Sequence, residues 1–210
     1  MRYDLSPQRL LASYVAGIFP MADESGRVHW LSPDPRAIIE LGQLKVSRSL
    51  RTVLRRAKFD FRVNTAFEEV LFACANRPDG TWISREIGVA YSLLHDLGYA
   101  HSVEAWRGDH LEGGLYGVAI GGAFFGESMF HRATDASKAA LVHLVEHMRE
   151  RGMMLLDVQF ITPHLRSMGA VEIPRREYER RLRTAVRSPA SFGDRGSTLL
   201  TQAALSAFEE

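Results

Sequence analysis

Three consecutive strand-length runs, at residues 100–106, 111–120 and 123–130, leave the chain few ways to fold. They are rich in aliphatic and aromatic residues, and the polar turn Arg107-Gly108-Asp109-His110 joins the first to the second. Connections this short serve antiparallel neighbours, so a meander is predicted. A helix at 136–151 follows, with Leu141, Leu144, Val145 and Met148 on one stripe and Gly152 as its stop. The apolar run 153–156 then reads as a buried strand. Sheet and helices in this order give an α+β fold.

The first half is built differently. Up to about Leu44, Ser6-Pro7, Gly17, Pro20, Ser32-Pro33 and Pro35 punctuate the chain, and only 7–16 reads as a helix. From Ser47 the period becomes helical through Leu50, Val53, Leu54 and Ala57. Phe59, Phe61 and Val63 alternate with Asp60 and Arg62 as a half-buried strand does, and Thr65-Ala66-Phe67-Glu68 reads as a capping box. A helix at 84–97 ends on Gly98; shorter helical stretches are predicted at 163–167 and 175–186. The organisation expected is a small N-terminal domain over 1–60, a larger domain over 61–187 and a loosely held tail over 188–210.

Composition removes several classes of function. At 46% hydrophobic and 24% charged residues the chain buries a real core, which excludes wholesale disorder. The formal net charge of +1 means that any nucleic-acid partner is met by a local patch. A single cysteine, Cys74, excludes an internal disulfide and suits a reducing compartment; it falls on an apolar helix face and reads as packing. No leader and no run of roughly twenty apolar residues is found, so a soluble cytoplasmic protein is expected.

Some motifs are weaker than they look. His143-Leu144-Val145-Glu146-His147 fits a zinc-peptidase pattern, but helical geometry puts both histidines opposite the apolar stripe, on the solvent side. Gly126-Glu127-Ser128-Met129-Phe130 lacks the closing glycine of a nucleophile elbow and lies in a strand, so Ser128 is not read as a nucleophile. The pairs Gly113-Gly114 and Gly121-Gly122 flank a strand and mark bulges or close backbone approach.

Two features carry more chemistry. Asp157 and Gln159 follow the buried run two residues apart, so in a strand they project to one face at its carboxyl end, where ligands gather in mostly parallel sheets. A structural Asp in a turn is the competing reading. The second feature is a basic helix face: Arg48, Arg51 and Arg55 fall within about a 60° sector, with Arg56 at its margin. No acidic residue interrupts between Ser47 and Phe59, which leaves a solvated face or a phosphate backbone as alternatives.

Longer motifs run through the whole chain. Tyr14-Val15-Ala16-Gly17-Ile18-Phe19-Pro20, Trp30-Leu31-Ser32-Pro33-Asp34-Pro35-Arg36, Gly80-Thr81-Trp82-Ile83, His101-Ser102-Val103-Glu104-Ala105-Trp106 and Gly113-Gly114-Leu115-Tyr116-Gly117-Val118 are five of them. With the run from Gly126 to Phe130, Ala136-Ser137-Lys138 and Asp157-Val158-Gln159, they resemble leucyl/phenylalanyl-tRNA protein transferases over nearly the full length.

The resemblance implies a small N-terminal domain, a C-terminal domain like the GNAT acyltransferases, and aminolysis of an ester. Leucine, phenylalanine and methionine are the expected cargo, delivered by aminoacyl-tRNA to proteins with N-terminal Lys or Arg and marking them for N-end-rule degradation. No cofactor and no metal are implied. Asp157 matches the carboxylate assigned to orienting and deprotonating the amine, Gln159 the amide at the reacting centre, and Glu127 a glutamate near the acceptor. Tyr14, Met21, Trp82, Leu115, Phe124, Met129 and Leu144 match the aminoacyl pocket, and Arg48, Arg51, Arg55 and Arg56 the tRNA-binding cluster. Met21 stands where many members carry Trp, Leu115 and Leu144 also depart from the pattern, and the start near Asp4 lacks the extra segment of longer members. A CoA-dependent N-acyltransferase, which requires a glycine loop before a helix, and a non-catalytic RNA-binding module are the alternatives.

Overall fold

The computed structural model describes residues 4–76 and 80–193. A helix α1 (Pro7–Val15) leads into a hairpin, β1 (Phe19–Ala22) and β2 (Val28–Leu31). Then come β3 (Arg36–Ile39), α2 (Arg48–Arg55), β4 (Asp60–Val63), α3 (Phe67–Ala75) and α4 (Arg85–Asp96). The meander β5 (Ala100–Arg107), β6 (His110–Ile120) and β7 (Ala123–His131) follows. The chain continues with α5 (Ala136–Glu150), β8 (Leu155–Gln159), α6 (Pro163–Ser167), β9 (Val171–Ile173) and α7 (Arg175–Val186).

Local signals explain most helix ends. Ser6, Ser47, Ser84 and Thr162 each accept a backbone N–H of the first turn through the side chain, and Pro7 and Pro163 open α1 and α6, where no donor is needed. The predicted capping box at 65–68 does not form. Ala66 caps α3, and the Thr65 hydroxyl instead donates to Glu104 of β5. The Glu104 carboxylate also accepts the N–H groups of Thr65 at 3.0 Å and Ala66 at 3.1 Å, so a distant acid does the work expected of Glu68.

Seven strands form one sheet in the order β4-β5-β6-β7-β8-β3-β9, and β1 pairs with β2 apart from it. The meander is antiparallel as predicted; β8 joins β7 in parallel, with α5 as the crossover, and β3 closes against β8 in the antiparallel sense. One face of the sheet carries α2 and α5, through Leu50, Leu141, Leu144 and Met148. The other carries α1, α3, α4 and α7, through Leu10, Val70, Tyr91 and Leu182. The fold is thus α+β, and its larger sheet takes in residues 36–39, upstream of the boundary expected at residue 60.

Close backbone approach accounts for several of the glycines in the meander. A Cβ on Gly117 would lie 2.3 Å from the Phe125 carbonyl oxygen, and one on Gly121, at φ +55°, 2.6 Å from that of Val186. Of the expected tail, only residues 188–193 are described; Phe192 is buried there between Phe124, His101 and His147. The remainder of that tail lies outside the described residues. Among the described residues, no helix is long and apolar enough to cross a membrane.

Candidate active site

Strand β8 begins two residues later than predicted, because Met154 and Leu155 are held at its start by the Gly122 carbonyl at 2.8 and 3.1 Å. Asp157, Val158 and Gln159 are therefore inside the strand. Asp157 is 0% exposed and Arg36, from the adjoining β3, is 1% exposed. Arg36 Nε donates to Oδ1 at 3.0 Å and to Oδ2 at 3.2 Å, and Nη2 donates to Oδ2 at 2.7 Å. Tyr178 Oη of α7 donates to Oδ2 at 2.6 Å, and the Gln159 N–H to Oδ1 at 2.8 Å. Arg36 Nη1 donates to the Gly17 carbonyl at 3.1 Å, and its guanidinium lies 4.6 Å from the ring centroids of both Phe19 and Tyr178. Burial alone would lower the Arg36 pKa; the Asp157 charge and hydrogen bonds outweigh it, and the net shift is upward.

Gln159 turns away from this cluster. Its φ of +63° breaks the strand's alternation, and its Nε2 donates to Glu127 Oε1 at 2.8 Å. The expectation of two side chains projecting together from one strand end is thus corrected: Asp157 goes to Arg36 and Tyr178, Gln159 to Glu127. Glu127, 8% exposed, also lies 2.7 Å from Tyr14 Oη and 3.1 Å from Tyr91 Oη, and the two phenols are in hydrogen-bond contact with each other, so two phenolic protons are shared among three contacts. Burial raises the Glu127 carboxyl to about 7, against the lowering effect of its three donors. Burial, with the Glu127 charge behind it, drives the Tyr14 and Tyr91 phenols well above their ordinary range, so both stay protonated donors.

Glu127 and Gln159 form a polar edge of a cavity of about 440 Å³ whose other walls are largely apolar. Met21 of β1, Trp82 before α4, Leu115, Met129 and Leu144, five of the seven residues that the resemblance matched to an aminoacyl pocket, line it. Tyr14 and Phe124 do not. Tyr14 stands behind Glu127 as its donor, and Phe124 is fully buried on the α5 side against Phe192. Asp157 does not reach the cavity wall either. Sequence reasoning missed Leu141, Leu156, Phe160, Leu165 and His164 in the lining, and Arg36, Tyr91 and Tyr178 behind it. Asp157 in an apolar strand was the one available clue, because a buried carboxylate calls for a cation or several donors.

Ser128 lines the same cavity from within β7, opposite Tyr116 in register. His143 and His147 are not solvent-facing as predicted. His143 stacks on Phe61 at 4.9 Å, and His147 Nε2 is 2.7 Å from the Phe192 carbonyl, because β4 and the segment after α7 cover that side of α5. Among the described residues no three His, Cys, Asp or Glu side chains converge.

All four arginines are exposed, and three of them share one surface. Arg48, Arg51 and Arg55 border a shallow hollow on α2 with Leu54, and Arg56 is its C-terminal cap. Among the described residues none of the four forms an ion pair; Arg51 Nε donates to the Val46 carbonyl at 3.1 Å.

Residues 38–183 match the leucyl/phenylalanyl-tRNA protein transferase family, and residues 3–34 match the N-terminal domain of the same family. A leucyl/phenylalanyl-tRNA protein transferase of Gloeobacter violaceus is 52% identical over 193 residues, covering 91% of this chain and 100% of that protein. Those of Herpetosiphon aurantiacus and Rubrobacter xylanophilus are 54% and 55% identical, each covering 90% of this chain and 98% of the relative. Among solved structures, L-PGS from Bacillus licheniformis aligns with a TM-score of 0.41 at 13% identity, over 77% of this chain and 55% of that one.

Proposed function

Because the chain belongs to the leucyl/phenylalanyl-tRNA protein transferase family, we propose that it transfers leucine, phenylalanine or methionine from aminoacyl-tRNA to proteins that begin with Lys or Arg. The observation that carries this reading is a buried carboxylate and amide, Glu127 and Gln159, on the edge of a largely apolar cavity of about 440 Å³, large enough to take such a side chain together with the ester that carries it.

The reaction is aminolysis. The acceptor's α-amino nitrogen attacks the ester carbonyl, the C–O bond to the terminal ribose breaks, and one proton passes from nitrogen to the leaving oxygen. An α-amino group has a reference pKa of about 7.7 to 8.0, so part of it is already neutral near pH 7. No covalent enzyme nucleophile is needed; holding two substrates in register supplies much of the acceleration. Glu127 faces the acceptor amine, and a carboxyl poised at about 7 exchanges a proton near neutrality. Gln159 hydrogen-bonds at the reacting centre and is aimed there by its own backbone, whose N–H is tied to Asp157. Asp157 is a positioning residue that fixes Gln159 and clamps β3 to α7 through Arg36 and Tyr178.

Met21, Trp82, Leu115, Met129 and Leu144 hold the transferred side chain, with Tyr14 and Phe124 as the layer behind. Apolar walls discriminate weakly, since a methylene is worth only about 1 to 3 kcal/mol, so several apolar cargos are accepted. Arg48, Arg51, Arg55 and Arg56 meet the phosphate backbone, which suits an enzyme that takes more than one tRNA. We place the N-terminal unit before β3 and the protein in the cytoplasm, where charged tRNA is available and a single cysteine stays reduced. The test is transfer of radioactive leucine from charged tRNA to an Arg-starting peptide, with an Asp-starting peptide as control. No label on the Arg-starting peptide removes the reading, and protection against heating by acetyl-CoA would favour an acyl-CoA donor instead.

A further inference from the structure

A further polar group reaches the cavity, from α6. His164 is part of the wall, and its Nε2 is shielded from solvent with no hydrogen-bond partner among the described residues. The residue is held in place by its neighbours. Thr162 caps α6 by accepting the Leu165 N–H at 3.2 Å, and Ser167 Oγ donates to the His164 carbonyl at 2.6 Å. Of the other buried polar residues on this wall, Glu127 and Gln159 are bonded to one another and Glu127 to Tyr14 and Tyr91, and Ser137 is not among the buried side chains that lack a partner. A shielded ring nitrogen with no partner is disfavoured unless something in the cavity supplies one.

The surroundings indicate what that something is. Burial, reinforced by the Lys138 and His131 charges, pushes the His164 pKa down, so the imidazole is neutral near pH 7. Lys138 is bonded to Asp135 at 3.2 Å, which offsets part of its charge, and His131 borders the same cavity. An ammonium is poorly placed beside Lys138 and well placed at Glu127. A neutral imidazole beside a lysine suits an oxygen.

Resting on the donor reading given above, we propose that His164 Nε2 hydrogen-bonds an oxygen of the donor's terminal nucleotide, the ribose 2′-hydroxyl or the 5′-phosphate, and so fixes the ester in the cavity. The cleft is then polarised, with the nucleotide at the His164 side and the two amines toward Glu127.

The experiment compares wild type, His164→Ala and His164→Gln, whose amide nitrogen falls near the position of Nε2. Transfer to an Arg-starting peptide is measured as kcat/KM with three donors: phenylalanyl-tRNA, the same tRNA ending in 2′-deoxyadenosine, and phenylalanyl-adenosine, which has no 5′-phosphate. His164→Ala is expected to lose about three- to tenfold with phenylalanyl-tRNA, and His164→Gln to recover most of it. If the loss vanishes with the 2′-deoxy donor, the partner is the hydroxyl; if it persists there and vanishes with phenylalanyl-adenosine, the partner is the phosphate. An equal loss with all three donors, or none with any, overturns the proposal. A wild-type protein inactive with phenylalanyl-tRNA overturns the donor reading itself.

Discussion

Replacing Asp157 by Asn separates a positioning carboxylate from a base. The wild-type side chain accepts from Arg36 at 2.7 to 3.2 Å, from Tyr178 at 2.6 Å and from the Gln159 N–H at 2.8 Å, with 0% of its surface exposed. An amide cannot balance the Arg36 charge, and its NH₂ faces a donor wherever it is turned. Removing one member of a buried ion pair costs about 3 to 5 kcal/mol, because the other is left uncompensated. For a chain of this length each kcal/mol moves the melting temperature by about 2 to 4 °C, so a fall on the order of 10 °C is predicted. Arg36→Met alone should fall comparably, and Arg36→Met with Asp157→Leu should regain most of the loss, because it leaves no buried charge unpaired. The measurements are thermal unfolding of the four proteins and transfer kinetics well below the lowest melting point. Asp157→Asn should retain the pH inflection near 7 that Glu127 supplies. A variant melting within about 2 °C of wild type while losing transfer and that inflection would refute the reasoning and return Asp157 to the role of base.

Three further outcomes follow from the geometry. The Glu127 carboxyl titrates at about 7 in the fold against an ordinary 4.5, so the folded state holds the extra proton between those values: its stabilising contribution is complete below about pH 4.5 and lost as pH rises through 7. Denaturant unfolding from pH 4.5 to 8 should therefore show wild type losing about 3 kcal/mol relative to Glu127→Gln, and parallel profiles would show that the carboxyl is not shifted. Reversing Arg51 and Arg55 to Glu should leave the melting temperature within about 2 °C and lower the slope of log affinity for tRNA against log salt by roughly 1 to 2; an unchanged slope would make this a solvated face. Gly117→Ala places a methyl carbon 2.3 Å from the Phe125 oxygen across the β6–β7 ladder, so a loss of about 3 kcal/mol is predicted by thermal unfolding, and an unaltered melt would contradict that packing.

What could be read from the sequence tracks how local its physical cause is. The meander strands were predicted to within a residue or so at each end, and α5 within one, because long apolar runs with short turns or a helical stripe determine them without help from the rest of the chain. The strands β1, β2, β3 and β9 were missed. Each has three or four residues, set among Pro and Gly, and their strand character comes from partners: β3 lies between β8 and β9, whose residues are more than a hundred positions downstream. The same distance explains the site. Arg36 looks like a surface residue until Asp157, 121 positions later, is beside it, and Glu104 caps α3 from 38 or 39 positions away in place of the neighbour that the motif named. Of the seven residues matched to the family's pocket, five line the cavity, reaching it from β1, β6, β7, α5 and the segment before α4. Alternation, however, put Asp157 and Gln159 on one face, and a single residue at φ +63° was enough to defeat it. That strain has a use: a left-handed turn at Gln159 is what lets one short strand bury an acid in an ion pair and still deliver an amide to the cavity two residues on. The chemistry of this site therefore sits where the local rule fails, and a backbone N–H held by Asp157 is what sustains that failure.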